Sequence, residues 1–129
     1  MGRAYFLVAF GGALGSMARF WCSGLVARNF GETFPWGTLT VNVIGSFVIG
    51  FFGGFAGPDG RVIVSTSMRQ FVMIGLCGGY TTFSSFSFQT LSLARDGQWI
   101  QVIGNVFLSV SMCLLAVWAG YGVALGVNE

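Results

Sequence analysis

Apolar residues run through this chain in four long stretches separated by short polar joints. Ala4 to Val26 holds one charge, Arg19, whereas Trp36 to Ala56, Phe71 to Ala94 and Trp99 to Asn128 hold none. Each stretch meets the roughly 20 apolar residues needed to cross a hydrocarbon core about 30 Å thick. The joints are Arg28-Asn29-Phe30-Gly31-Glu32, Gly57-Pro58-Asp59-Gly60-Arg61 and Arg95-Asp96-Gly97-Gln98. The last two carry the Pro, Asp and Gly of turns. The pattern predicts an all-α integral membrane protein, one domain over residues 1–129 with four transmembrane helices at approximately 4–26, 36–56, 71–94 and 99–127. Trp36 and Trp99 stand at span starts, where interfacial aromatic residues anchor a helix.

Composition strengthens this picture. Only 8% of the 129 residues are charged, against about 25% in a soluble domain, which leaves too little charge to cover a water-facing surface. A soluble enzyme, a disordered tail and a secreted disulfide scaffold are excluded. The net charge of +2 and six scattered Arg argue against nucleic-acid binding. The first stretch is too long for a signal peptide, and three further spans need a membrane anyway. Phe6 stands where a myristoylation motif needs Ser or Thr. Cys22, Cys77 and Cys113 all fall inside spans, and the chain has no His. An odd intramembrane set points to small buried hydrophobes, not to a disulfide framework or zinc.

Alternating crossings place Arg3, Arg61 and Arg69 on one side and Arg28 and Arg95 on the other, with Arg19 nearer the second. The positive-inside rule needs an asymmetry, and here it finds almost none. Insertion in both orientations is one physical consequence, and a single orientation set by some other feature is the alternative. Gly11 and Gly15, Gly50 and Gly54, Gly75 and Gly79, and Gly122 and Gly126 each have G-x-x-x-G spacing, which favours close helix packing within or between subunits.

Polar groups inside the spans mark the candidate chemistry. Arg19 lies about seven residues, roughly 10 Å, from the nearer span end. It either snorkels to the interface or forms a positive vestibule that concentrates anions. No Asp, Glu or His lies in any span, which argues against proton-coupled transport. Thr38, Asn42 and Ser46 are four apart and share a helix face, as interhelical glue or as the lining of a water-filled path. In the third span, Gly78-Gly79-Tyr80-Thr81-Thr82 is poor helix sequence. It predicts a break, or at least a kink, in the bilayer's middle, where irregular backbone must be buried, line a cavity or meet an ion. Phe83 and Phe86 follow at helical spacing, either as plain packing or as rings whose electropositive edges face an anion. Ser84 and Ser87 repeat that spacing, and Asn105, Ser109 and Cys113 form a stripe on the fourth span.

These residues carry a resemblance. Gly12 to Arg19 (G-x-x-G-S-x-x-R), Gly37-Thr38-Leu39 with Asn42 and Gly45, and the run from Gly78 to Ser87 appear in order along the chain. The chain resembles the Fluc/CrcB fluoride channels essentially end to end. The resemblance implies an antiparallel, dual-topology homodimer in a bacterial inner (cell) membrane, with two pores. It implies a structural sodium ion held in the broken third helix by the backbone carbonyls of Gly78 and Thr81 from both subunits. It further implies a fluoride path along Asn42, Phe83 and Phe86, with Ser84, Thr82 and Ser109 as polar neighbours and Arg19 at a vestibule. At Asn105 the chain departs from the Tyr common in that family. The implied partners are fluoride, sodium, membrane lipid and a second copy of the chain. The implied task is passive fluoride export that protects against fluoride toxicity.

A selective path for compact, strongly hydrated fluoride must replace its water with good donors, weakly enough for the ion to leave. Uncharged amide, hydroxyl and ring-edge groups suit that task. A proton-coupled exporter of the small multidrug type would need the missing intramembrane carboxylate, and a packing scaffold would move no ion. The balanced Arg count carries its own test. Compartment-specific reporters fused to the C-terminus should report from both sides of the membrane, and signal from one side alone would refute dual insertion.

Overall fold

The computed structural model describes residues 1–57 and 62–128. Pro58, Asp59, Gly60 and Arg61 of the second joint lie outside these residues, as does Glu129. Helix α1 spans Gly2–Phe30 and α2 spans Trp36–Phe55. The third crossing is composite: α3 (Thr66–Arg69), a π-helical stretch (Gln70–Cys77), α4 (Gly78–Tyr80) and α5 (Phe83–Arg95). Helix α6 runs from Trp99 to Asn128. Four helical stretches are long and apolar enough to cross a membrane, and no strand occurs among the described residues. This is a multi-pass membrane protein.

Local chemistry sets the ends of the third crossing. The Ser65 hydroxyl accepts from the Met68 amide at 3.2 Å, capping α3. Arg69 Nη1 donates to the Ala56 carbonyl at 2.7 Å and ties this end to the end of α2. Helix α5 stops at Gly97, whose φ of 74° suits a residue without a β carbon. There the Gln98 amide reaches back to the Leu93 carbonyl at 2.9 Å and the Gly97 amide to Ala94 at 3.0 Å. This is the paired closure of a Schellman motif, and it turns the chain directly into α6.

Lipid is as apolar as a leucine side chain, so burying large side chains does not hold these helices together. Large groups accordingly point outward, Phe20 at 83% exposure and Trp118 at 75%. The contact surfaces are made of small residues. A β carbon added at Gly11 would meet Phe71 and Gly75, and one added at Gly15 would meet Leu76 and Tyr80. One added at Gly79 would meet the backbone of Gly12. Two of the G-x-x-x-G pairs therefore face each other and bring α1 against the π-helical stretch and α4. Gly50 and Gly54 face Val117, Tyr121 and Ala124 of α6, and Gly120 returns the contact against Phe47. A β carbon added at Gly122 or Gly126 would meet nothing within 4 Å among the described residues. The core left between these contacts is small, with Val41 and Ala124 fully buried beside the polar Thr38, Asn105 and Ser109.

Candidate functional site

Between α4 and α5, Thr81 (φ −89°, ψ 159°) and Thr82 (φ −152°, ψ 109°) have extended backbones. Gly78 and Gly79, the first part of the stretch that the sequence marks as weak, stay helical. The reason is steric: Gly79 is held by its approach to Gly12 of α1, whereas β-branched Thr favours extended backbone and brings a hydroxyl to replace lost bonds.

The replacements are specific. Thr81 donates its amide (3.0 Å) and its hydroxyl (2.9 Å) to the Cys77 carbonyl. The Thr82 amide donates to Asn42 Oδ1 at 2.7 Å, while Asn42 Nδ2 donates to the Thr82 carbonyl at 3.1 Å. The Asn42 side chain thus pairs with both backbone groups of one residue, 40 positions away. Thr82 then caps α5, its hydroxyl accepting from the Ser85 amide at 3.1 Å. Two amides have been diverted from their helical acceptors four residues back: Thr82 from the Gly78 carbonyl and Ser85 from the Thr81 carbonyl. By contrast, the Gly79 carbonyl receives Arg19 Nε at 3.1 Å.

Beside this junction lies a cavity of about 410 Å³ between α2, α6 and the third crossing. Gly78, Thr81, Thr82, Phe83, Phe86, Asn42 and Ser109 all line it, so the structure brings together seven of the residues singled out from sequence. Ser46 joins them one turn beyond Asn42, and among the described residues no charged side chain lines the cavity. Gly45 makes room for the junction, since a β carbon there would collide with the Thr81 methyl. The Phe83 and Phe86 rings are 5.3 Å apart and tilted by 46°, with Phe86 9% and Phe83 76% exposed. The N-terminus of α5 also opens here, and its unpaired amides and dipole favour negative charge.

Two sequence candidates lie apart from this cavity. Ser84 is exposed and approaches the Thr82 hydroxyl at 3.3 Å. Arg19 is half-buried against the Gly79 carbonyl and lines neither this cavity nor the larger one at the end of the bundle. That second space, about 920 Å³, is lined by Arg28, Glu32, Asp96, Gln89 and Thr38, among others. The α2 ridge therefore joins the two cavities, with Thr38 facing the larger and Asn42 and Ser46 the smaller. Sequence reading passed over Gln89, whose signal was an amide inside an uncharged span. It also gave Asn42 no backbone partner, because periodicity along one helix carries no trace of a residue on another.

Replacing Asn42 with Leu removes the acceptor of the Thr82 amide. A buried backbone group left unpaired costs about 1–3 kcal/mol. The melting temperature of the purified protein in detergent should therefore fall by several degrees in Asn42→Leu. An unchanged melting temperature would show that the pairing contributes nothing to stability.

Comparison with known proteins places the sequence. The family model described as CrcB-like protein, Camphor Resistance (CrcB) matches residues 6–121. A protein of Opitutus terrae called fluoride-specific ion channel FluC is 59% identical over 97% of this chain and 95% of its own. Proteins of the same name from Methylocella silvestris and Rhodospirillum rubrum are 58% and 57% identical, over 97% of this chain and 95% and 97% of theirs. With the family model covering most of the sequence and the relatives matching nearly end to end, the chain belongs to the CrcB family.

Proposed function

We propose that the protein is a fluoride-selective channel, not an enzyme, through which fluoride leaves the cell passively. The observation that carries this reading is the convergence of a mid-span helix N-terminus, the Asn42 amide and the Phe83 and Phe86 rings on one uncharged cavity. The names of the relatives agree with it. An amide has two N–H donors, and Asn42 uses one on Thr82, so the second is free for an anion. Ring edges and helix amides add positive character without a fixed cation that would trap the ion. Hydrogen fluoride crosses bilayers in acid surroundings and dissociates inside. A negative-inside potential then drives the anion out, and no coupling group is required.

The working unit in this reading is an antiparallel homodimer in a bacterial inner membrane, built from subunits inserted in both orientations and carrying two pores. Support comes from the balanced Arg count, and from the 76% exposure of Phe83 beside a cavity that a second copy would close. Arg19 would stand near a vestibule, and Thr82, Ser84 and Ser109 beside the path.

Sodium fits the junction. Gly78 and Thr81 are among the residues at this break whose carbonyls have lost the amides four residues on, here to Asn42 and Thr82. Backbone oxygens of this kind suit a hard cation. When bound there, sodium would supply the positive charge that pairs these carbonyls in hydrocarbon, a structural role. Exchanging sodium for N-methyl-D-glucamine should lower the melting temperature of the purified protein. A sodium gradient should leave fluoride flux unchanged, and sodium movement driven by fluoride would refute the structural role.

Liposomes loaded with fluoride and read with a fluoride electrode test the channel itself. The parent protein should release fluoride without a pH gradient. Phe83→Ile and Phe86→Ile should each assemble normally yet cut flux roughly tenfold or more, the equivalent of about 1.4 kcal/mol. Release at the parent rate from both variants would reduce the rings to packing.

A further inference from the structure

Asn105 is 1% exposed and lines neither cavity, yet it is bonded on both sides. Its Nδ2 donates to Thr90 Oγ1 at 2.9 Å, and its Oδ1 accepts from Ser109 Oγ at 3.3 Å. Thr90 Oγ1 in turn donates to the Phe86 carbonyl at 2.7 Å. The directions in this chain are fixed by counting hydrogens. A hydroxyl has one, and Thr90 gives its hydrogen to Phe86, so it offers Asn105 only a lone pair. Asn105 must then turn its NH₂ toward Thr90 and its oxygen toward Ser109. Ser109, which lines the cavity with Asn42, Phe83 and Phe86, therefore directs its single hydrogen away from that cavity and into the protein.

We propose that Asn105 is a positioning residue that sets how tightly the path holds fluoride, by keeping the Ser109 donor turned away. The inference rests on the channel reading above. A fluoride ion that takes the Ser109 hydrogen leaves Asn105 Oδ1 without a partner at a site closed to water. The gain at the ion is offset by the loss at the amide, so Ser109 contributes little net binding and the ion moves on. Freed from Asn105, the same hydroxyl becomes a full donor and holds fluoride longer.

The concentration dependence of fluoride flux in liposomes tests this, with the parent, Asn105→Leu, Ser109→Ala and the double variant. Asn105→Leu should lower the half-saturating fluoride concentration by roughly tenfold and reduce the maximal rate. Adding Asn105→Leu to the Ser109→Ala background should leave half-saturation unmoved, which a general loosening of α5 against α6 would not do. Ser109→Ala alone should shift half-saturation by less than about twofold, and this arm holds even if Asn105→Leu fails to assemble. An unshifted Asn105→Leu, the same shift without Ser109, or a tenfold weakening by Ser109→Ala alone would each overturn the inference. A parent protein that releases no fluoride would overturn the channel reading and this inference with it.

Discussion

The pairing of the Asn42 side chain with the backbone of Thr82 is the interaction on which the rest of the site depends. Within a bilayer no water is available to satisfy a freed amide or carbonyl, so an interruption in a helix survives only where protein groups replace the lost bonds. Asn42 supplies an acceptor and a donor in one planar group, matching the two backbone groups of a single extended residue. Once Thr82 is held, its hydroxyl caps α5, the helix begins in the middle of the crossing, and Phe83 and Phe86 are set against the cavity. Each of these features would be lost if Thr81 and Thr82 closed into a continuous helix.

The scaffold around this junction is made by what the side chains lack. Gly11 and Gly15 let α1 approach the backbone of Phe71, Gly75 and Leu76, and Gly50 and Gly120 do the same between α2 and α6. Helix α5 is held differently, by the chain of hydroxyl and amide groups from Phe86 through Thr90 and Asn105 to Ser109 on α6. Close backbone contact thus fixes the long helices, while directed polar bonds place the half-helix that carries the rings.

What the sequence made legible follows from which forces are local. Four apolar stretches and the Gly97 turn could be read directly, because bilayer thickness and a positive φ each demand particular residues in one place. The facing of Gly11 and Gly15 on Gly75 and Gly79 was half legible: the spacing was visible, the partner was not, and Gly122 and Gly126 have the same spacing with open space beside them among the described residues. The extended residues, Thr81 and Thr82, lie at the far end of the stretch that the sequence marks as poor helix. Helix propensity marks the glycines as weak, but it does not register that Gly79 packs on Gly12 of α1 or that Asn42 waits opposite Thr82. The π-helical turns of Gln70–Cys77 left no sequence signal at all, since a wider turn changes register without changing composition.

Among the described residues no carboxylate or imidazole lines the smaller cavity, and in the proposed channel this has a consequence for when the path operates. Amides, hydroxyls and phenyl rings keep their protonation state between about pH 4 and pH 7. Acid that loads a cell with fluoride would therefore leave the lining of its exit unaltered. A pathway built with a titrating side chain would change its own affinity as the medium acidified, and would be least dependable when the burden was greatest. One lined by neutral groups answers only to the ion gradient and the membrane voltage.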